Sequence, residues 1–244
     1  MIGLVAVSHS AALARAAAEL ALQMGGAQPP RLELAAGTPD GGLGTDAAAI
    51  AEAIHRADSG DGVLVLMDLG SAILSTEMAQ EFLPPEVRVR LSAAPFVEGL
   101  VAAVVSAASG ASLDDVDAEV STALAAKARQ LGRGEDAAAQ ERTGPQPEAA
   151  DADAEGFDAL IRNPSGLHAR PAAAFARTAG RYDARVRVRD LSRDVAPVAG
   201  DSLLALMALG VGPGTRVRVT AEGPQASAVL AELRAMIDDG FGEM

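Results

Sequence analysis

The sequence predicts two units of different class: an α/β unit with a doubly wound, mostly parallel sheet, then an α+β unit with an antiparallel sheet. Three observations carry this. Residues 1–131 alternate short apolar runs with longer helical stretches, the pattern of βα units that build a parallel sheet with helices on both faces. Residues 184–189 and 215–220 alternate Val with Arg, the period-two pattern of half-exposed strands. Between them, residues 132–154 contain no large apolar side chain and cannot bury enough surface to offset ordering entropy, so they read as a flexible linker. The expected division is 1–132, 133–154 and 155–244.

In the first unit, residues 1–7 read as a buried strand and 10–24 as an alanine-rich helix. A short strand at 31–34 precedes a helix at 45–57, with Thr45 as a possible N-cap. Asp61-Gly62 punctuates the chain before the apolar strand 63–67. A helix at 71–82 ends at Pro84-Pro85, and a strand at 87–91 leads into helices at 95–108 and 113–131. In the second unit, strands are expected at 157–162, 184–189, 194–198 and 215–220. Helices are expected at 166–181, 202–209 (ended by Gly210) and 225–237.

Composition removes several function classes. The chain has 244 residues, a net charge of −13, no Cys, no Trp, one Tyr and 2% aromatics. Base-stacking nucleic-acid surfaces need aromatic side chains, so no nucleic-acid partner is expected. Without Cys there is no disulfide, no thiolate metal site and no thiol nucleophile. The longest uncharged apolar stretch, 99–113, is too short and too rich in Gly and Ser to span a bilayer. The opening apolar run follows no basic residue, so no secretory signal is read, and the chain is expected to be cytoplasmic. The charge is uneven: residues 1–132 carry 7 basic and 16 acidic side chains, 133–154 carry 2 and 6, and 155–244 carry 11 and 11.

Chemistry then falls on histidine, at 9, 55 and 168. His55 lies inside a predicted helix and receives no role. His9 and His168 each follow a strand and precede or open a helix, where free N–H groups and the helix dipole attract anions. An imidazole there can accept a phosphoryl group; equally, His9 could simply cap a helix. Arg170 lies two residues after His168, with Pro171 suited to a first helical turn, and its guanidinium could fork onto phosphate oxygens. Asp68 follows the strand 63–67. In a sheet of order 2-1-3-4, strands one and three adjoin, and their carboxyl ends would hold His9 and Asp68 together. Asp68 could fix the imidazole tautomer, cap the next helix, or do both. The glycine-rich loop 37–45 has neither a Gly-Lys-Ser/Thr nor the dinucleotide spacing, so its glycines are expected to allow close backbone approach to His9 or to a docking partner. No metal site or cofactor site is read.

The motif Gly166-Leu-His-Ala-Arg-Pro-Ala172 resembles the active-site motif of HPr, the phosphocarrier of the phosphoenolpyruvate-dependent phosphotransferase system. The likeness runs from about residue 155 to 244 and includes Ser202-Leu-Leu-Ala-Leu-Met-Ala-Leu-Gly210. It implies an open-faced β-sandwich of order βαββαβα, with His168 phosphorylated through Nδ1 and assisted by Arg170. Ser202 matches a position that can be a regulatory phosphorylation site in that family. Here Asp201 precedes it, and an acidic neighbour disfavours a further negative group, so Ser202 is read as an N-cap.

Residues 1–132 resemble the mannose-type IIA fold and, more narrowly, the phosphotransferase subunits of phosphoenolpyruvate-dependent dihydroxyacetone kinase. The matching pieces are Val7-Ser-His-Ser10, Ala36-Gly-Thr-Pro-Asp-Gly-Gly-Leu-Gly-Thr45, Met67-Asp-Leu-Gly-Ser71 and Ala94-Pro-Phe-Val-Glu-Gly99. The resemblance implies that His9 carries phosphate through Nε2 and that the unit forms a homodimer. The Enzyme I-like region of some longer relatives is not read in these residues. The implied function is a relay from Enzyme I through His168 and His9 to ADP in the nucleotide-binding subunit, and so to dihydroxyacetone on a third subunit. Two other readings use the same histidines: a IIA–HPr component feeding a IIB domain in sugar uptake, and a sensor whose phosphorylation state controls another protein.

Overall fold

A computed structural model of the chain describes residues 1–131, 155–193 and 195–243. Contacts divide it into two compact units, Met1–Ala123 and Leu124–Met244. The predicted linker 133–154 lies outside the described residues.

The first unit is a parallel four-stranded sheet of β1 (Gly3–Ser8), β2 (Leu32–Ala36), β3 (Val63–Met67) and β4 (Val89–Ser92), in the order β2-β1-β3-β4. In this order β1 and β3 adjoin, the condition for bringing His9 and Asp68 together. Every residue of β1 is buried, as a strand covered on both faces must be. Its side chains alternate between two helical layers. Val5, Val7, Val63 and Val65 join Ile50 and Ile54 of α2 (Ala47–Ala57) in one core cluster, and α2 packs on α3 (Ser71–Gln80). On the other layer, α1 (Ala11–Met24) packs on α4 (Phe96–Ala108), and α4 on α5 (Leu113–Ser121). Gly99 lets α4 lie close against β3: a Cβ there would sit 2.8 Å from Leu66 Cδ2 and 2.9 Å from Ala94 Cβ.

Two sequence expectations are corrected here. The α2 cap is Asp46, whose side chain accepts from Ala49 N at 2.9 Å; Thr45 instead bonds the Ser75 hydroxyl at 2.7 Å. The single helix expected over 113–131 is broken at Thr122 into α5 and α6 (Ala123–Gln130). Thr122 bonds the Glu119 carbonyl through both its N–H and its hydroxyl, closing α5 with a tight turn.

The second unit runs β5 (Glu155–Leu160), α7 (Ala169–Gly180), β6 (Arg185–Asp190), β7 (Val198–Ala199), α8 (Leu203–Leu209), β8 (Arg216–Glu222) and α9 (Ala226–Asp238). That is βαββαβα. The sheet order is β5-β8-β6-β7, antiparallel throughout. Val186, Val188, Val217 and Val219 turn inward under the helices, and the intervening arginines turn outward. The strand expected at 194–198 is only Val198–Ala199, paired with Val188 and Arg187; Asp194 lies outside the described residues. Ser202 caps α8 as expected, accepting from Ala205 N at 3.0 Å, and Gly210 closes that helix in the left-handed region.

Candidate functional site

His9 follows β1 and sits directly before Ser10, the N-cap of α1, so it is not itself the cap. Asp68 follows β3. Because β1 and β3 are neighbours, with Val7 opposite Met67, the two side chains meet beyond the carboxyl edge of the sheet. Asp68 Oδ1 lies 3.0 Å from His9 Nδ1, and Oδ2 accepts from His9 N and from the Ser8 hydroxyl, each at 2.9 Å. Ser8 is fully buried and its oxygen also accepts from Ser10 N at 3.0 Å. Burial pushes the Asp68 carboxyl up, but these hydrogen bonds outweigh it and hold the carboxyl below its usual range. A carboxylate accepts only, so His9 Nδ1 carries a proton, and in the neutral ring Nε2 keeps the unshared pair. Asp68 does not cap the following helix: the cap position of α3 is Gly70, with no side-chain bond.

Two features there escaped sequence reasoning. The Ser71 hydroxyl lies 3.0 Å from His9 Nε2, the nitrogen that Asp68 leaves free. Ser71 also begins α3, which exposes Ile73, Leu74 and Met78, with Phe82 following. Loop 37–45 behaves as its glycines suggested: Gly37 N donates to Ser8 O at 3.0 Å and Gly44 N to His9 O at 2.9 Å. His55 is exposed in the last turn of α2 and takes no part.

In the second unit, His168 occupies the N-cap position of α7, and Arg170 stands exposed in the first turn. The first N–H groups of that helix have no acceptor within it. The loop before it is tied to the segment that follows α8: Leu167 N donates to Val211 O at 2.8 Å. Gly166 (φ +65°) is required there, since a Cβ would meet Val211 O at 2.4 Å. Glu243, unnoticed in the sequence, places its two carboxylate oxygens 3.1 and 3.2 Å from His168 Nε2. No local pattern signals a contact across 75 residues.

Among the described residues, no helix is long and apolar enough to cross a membrane, and no group of three or more His, Asp or Glu side chains could hold a metal ion.

Comparison with known proteins matches each unit separately. Residues 3–117 fit the family model of the PTS system fructose IIA component, and residues 157–239 fit that of the PTS HPr component phosphorylation site. Over its whole length the chain is 40% identical to the PEP-dependent dihydroxyacetone kinase phosphoryl donor subunit DhaM of Escherichia coli (strain K12), and 39% identical to the protein of that name from Klebsiella michiganensis. In each case it covers 51% of the relative, so the chain spans about half the length of the curated relatives it matches. A crystal structure of HPr from Thermoanaerobacter tengcongensis is 34% identical, with a TM-score of 0.35, over 37% of this chain and 98% of its own. Residues 3–117 therefore belong with the IIA components and residues 157–239 with the HPr components of the phosphotransferase system, joined in one chain that is similar over its whole length to those phosphoryl donor subunits.

Proposed function

We propose that this protein is a phosphohistidine relay feeding a phosphoenolpyruvate-dependent dihydroxyacetone kinase. The observation that carries the reading is the Asp68–His9 pair, which presents an unprotonated Nε2 at the carboxyl edge of a parallel sheet. Phosphorylated Enzyme I loads His168 at Nδ1. The phosphoryl group lies at the N-terminus of α7, where free N–H groups and the Arg170 guanidinium offset its charge. His9 Nε2 then takes it, in the same chain or in a second one. Its unshared pair forms the new N–P bond while the bond to His168 breaks and that pair returns to Nδ1. In this step Asp68 balances the positive charge that develops on the His9 ring, and the Ser71 hydroxyl turns from Nε2 to a phosphoryl oxygen.

From His9 the group passes to ADP held in the nucleotide-binding subunit of the kinase. The ATP so formed phosphorylates dihydroxyacetone on a third subunit. The chain is thus a phosphotransferase subunit that needs no nucleotide site of its own. Exposed apolar side chains of α3, whose first residue touches His9, suit brief docking of partner proteins. The acidic, polar segment 133–154 acts as a tether that raises the effective concentration of one histidine near the other. We place the protein in the cytoplasm, as a homodimer through its IIA unit.

The experiment is reconstitution with Enzyme I, phosphoenolpyruvate and the two kinase subunits, read as dihydroxyacetone phosphate. Product that depends on both His9 and His168 supports the reading. Transfer to a IIB domain in its place supports a sugar-uptake role, and transfer to no acceptor supports a sensor.

A further inference from the structure

The segment that carries Glu243 is built against local preference. Gly240, Phe241 and Gly242 are all left-handed, with φ of 61°, 58° and 74°. Phe241 is the one non-glycine with positive φ among the described residues, a conformation that strains any residue with a Cβ. Such strain persists only where the surroundings hold it, so what it places deserves a reason. The hook continues directly from α9, with Asp239 N bonded to Ala235 O at 3.0 Å and Glu243 N to Gly240 O at 3.1 Å. Its reversal delivers the Glu243 carboxylate to His168 Nε2.

A second observation is independent of the strain. Asn163 is fully buried, and its Nδ2 donates both to the Gly166 carbonyl and, at 3.3 Å, to Glu243 Oε2. One amide therefore ties the loop that leads to His168 to the carboxylate facing that histidine. Its Oδ1 is left buried with no hydrogen-bond partner, which costs free energy. That orientation makes sense if the donor end of the amide is needed on the Glu243 side.

We propose that Glu243 is a positioning residue for His168. Its carboxylate accepts the Nε2 proton, so the ring keeps its unshared pair on Nδ1, the other ring nitrogen, and cannot be loaded at Nε2. During loading, Nδ1 forms the bond to phosphorus and the donor's P–N bond breaks, its pair returning to the donor nitrogen. The Nε2 proton stays on the ring, and the nearby carboxylate balances the charge that the ring gains. This inference rests on reading His168 as a phosphoryl acceptor, but its first test does not.

That test is nitrogen NMR of the His168 ring in the full chain, comparing wild type with Glu243→Ala, Glu243→Gln and Gly242→Pro. Wild type should show a protonated Nε2 and an unprotonated Nδ1. In Glu243→Ala the two nitrogen shifts should move towards each other. Glu243→Gln, whose Oε1 still accepts from Nε2, should keep the wild-type pattern. Gly242→Pro forbids the left-handed φ without altering any active-site atom, and should reproduce Glu243→Ala. Loading of His168 from phosphoramidate, a small donor that leaves as ammonia after taking a proton from water, gives the second readout. For Glu243→Ala and Gly242→Pro, kcat should fall about 10- to 100-fold, the worth of a hydrogen bond to a charged group, with KM for the donor within about two-fold. Unchanged ring shifts or unchanged kcat in Glu243→Ala would overturn the proposal, as would a shared loss of thermal stability with wild-type ring shifts. If wild-type His168 accepts no phosphoryl group while its ring shifts respond as described, the acceptor reading fails and the positioning role stands.

Discussion

Replacing Asp68 by Asn isolates the electrostatics of the His9 site, because it keeps the side chain's shape. The wild-type carboxylate satisfies three donors: His9 Nδ1–H on one oxygen, His9 N–H and the Ser8 hydroxyl on the other. An amide has one accepting end. If its oxygen faces the backbone, its NH2 donates to Nδ1 and drives the ring proton onto Nε2, the nitrogen proposed to attack. If its oxygen faces Nδ1, the NH2 points at the His9 N–H, donor against donor. Either way one bond to a charged acceptor is lost in a site where the Asp68 side chain is only 7% exposed. Such a bond is worth about 1.5–3 kcal/mol, or a factor of about 10 to 150 in rate. The wrong-tautomer outcome can reach about 10⁴, as it does when the carboxylate of a serine-protease triad is made an amide. The assay is rapid-quench labelling of the full chain, scoring phospho-His9 and phospho-His168 separately. His168 loading should be unchanged and serves as the control. Labelling of His9 in Asp68→Asn at the wild-type rate would refute the reasoning.

Other outcomes follow from the same geometry. Asp68 has a folded pKa below its unfolded value of about 4, so its contribution to stability is complete above that pH and is lost as pH falls through the folded value. In acid unfolding, the stability gap between wild type and Asp68→Asn should therefore shrink as pH falls from about 4 through the folded value; a gap of constant size would contradict the assignment. Gly166→Ala should destabilise the second unit by about 1–3 kcal/mol through the clash with Val211 O, and should slow His168 loading as well, seen as a lower Tm for that unit and a lower loading rate. Ser202→Ala should cost about 1 kcal/mol by removing the α8 cap while leaving transfer through both histidines intact; denaturant unfolding beside the labelling assay separates the two effects. Arg170→Ala, at an exposed position, should leave the Tm unchanged and slow His168 loading.

Much of this was legible in the sequence because local and global signals agree. The all-apolar run 63–67 requires a strand covered on both faces, and βα alternation then places its end beside that of β1, which brings Asp68 to His9. The Val–Arg alternation likewise identified the half-exposed strands β6 and β8. The misreadings have local causes. Thr45 and Asp46 are both competent caps one residue apart, and only the tertiary bond to Ser75 decides between them. The stretch 113–131 contains no Gly or Pro to mark its break; the Thr122 hydroxyl does that work by bonding the Glu119 carbonyl. Asp68 reads as a helix cap by position, but three donors engage it before the helix begins. Ser71 and Glu243 were missed because each meets its histidine only through the fold. For Glu243 the one written trace was the Gly-Phe-Gly that permits the left-handed hook.

In the proposed relay, phosphoryl flow enters at His168 and leaves through His9. It is tested most directly by adding Enzyme I and phosphoenolpyruvate to wild type and to His168→Ala, with no separate HPr present, and following label on His9. His9 should be labelled rapidly in wild type and hardly at all in His168→Ala, with labelling restored when HPr is supplied. Labelling of His9 at the wild-type rate in His168→Ala alone would contradict it.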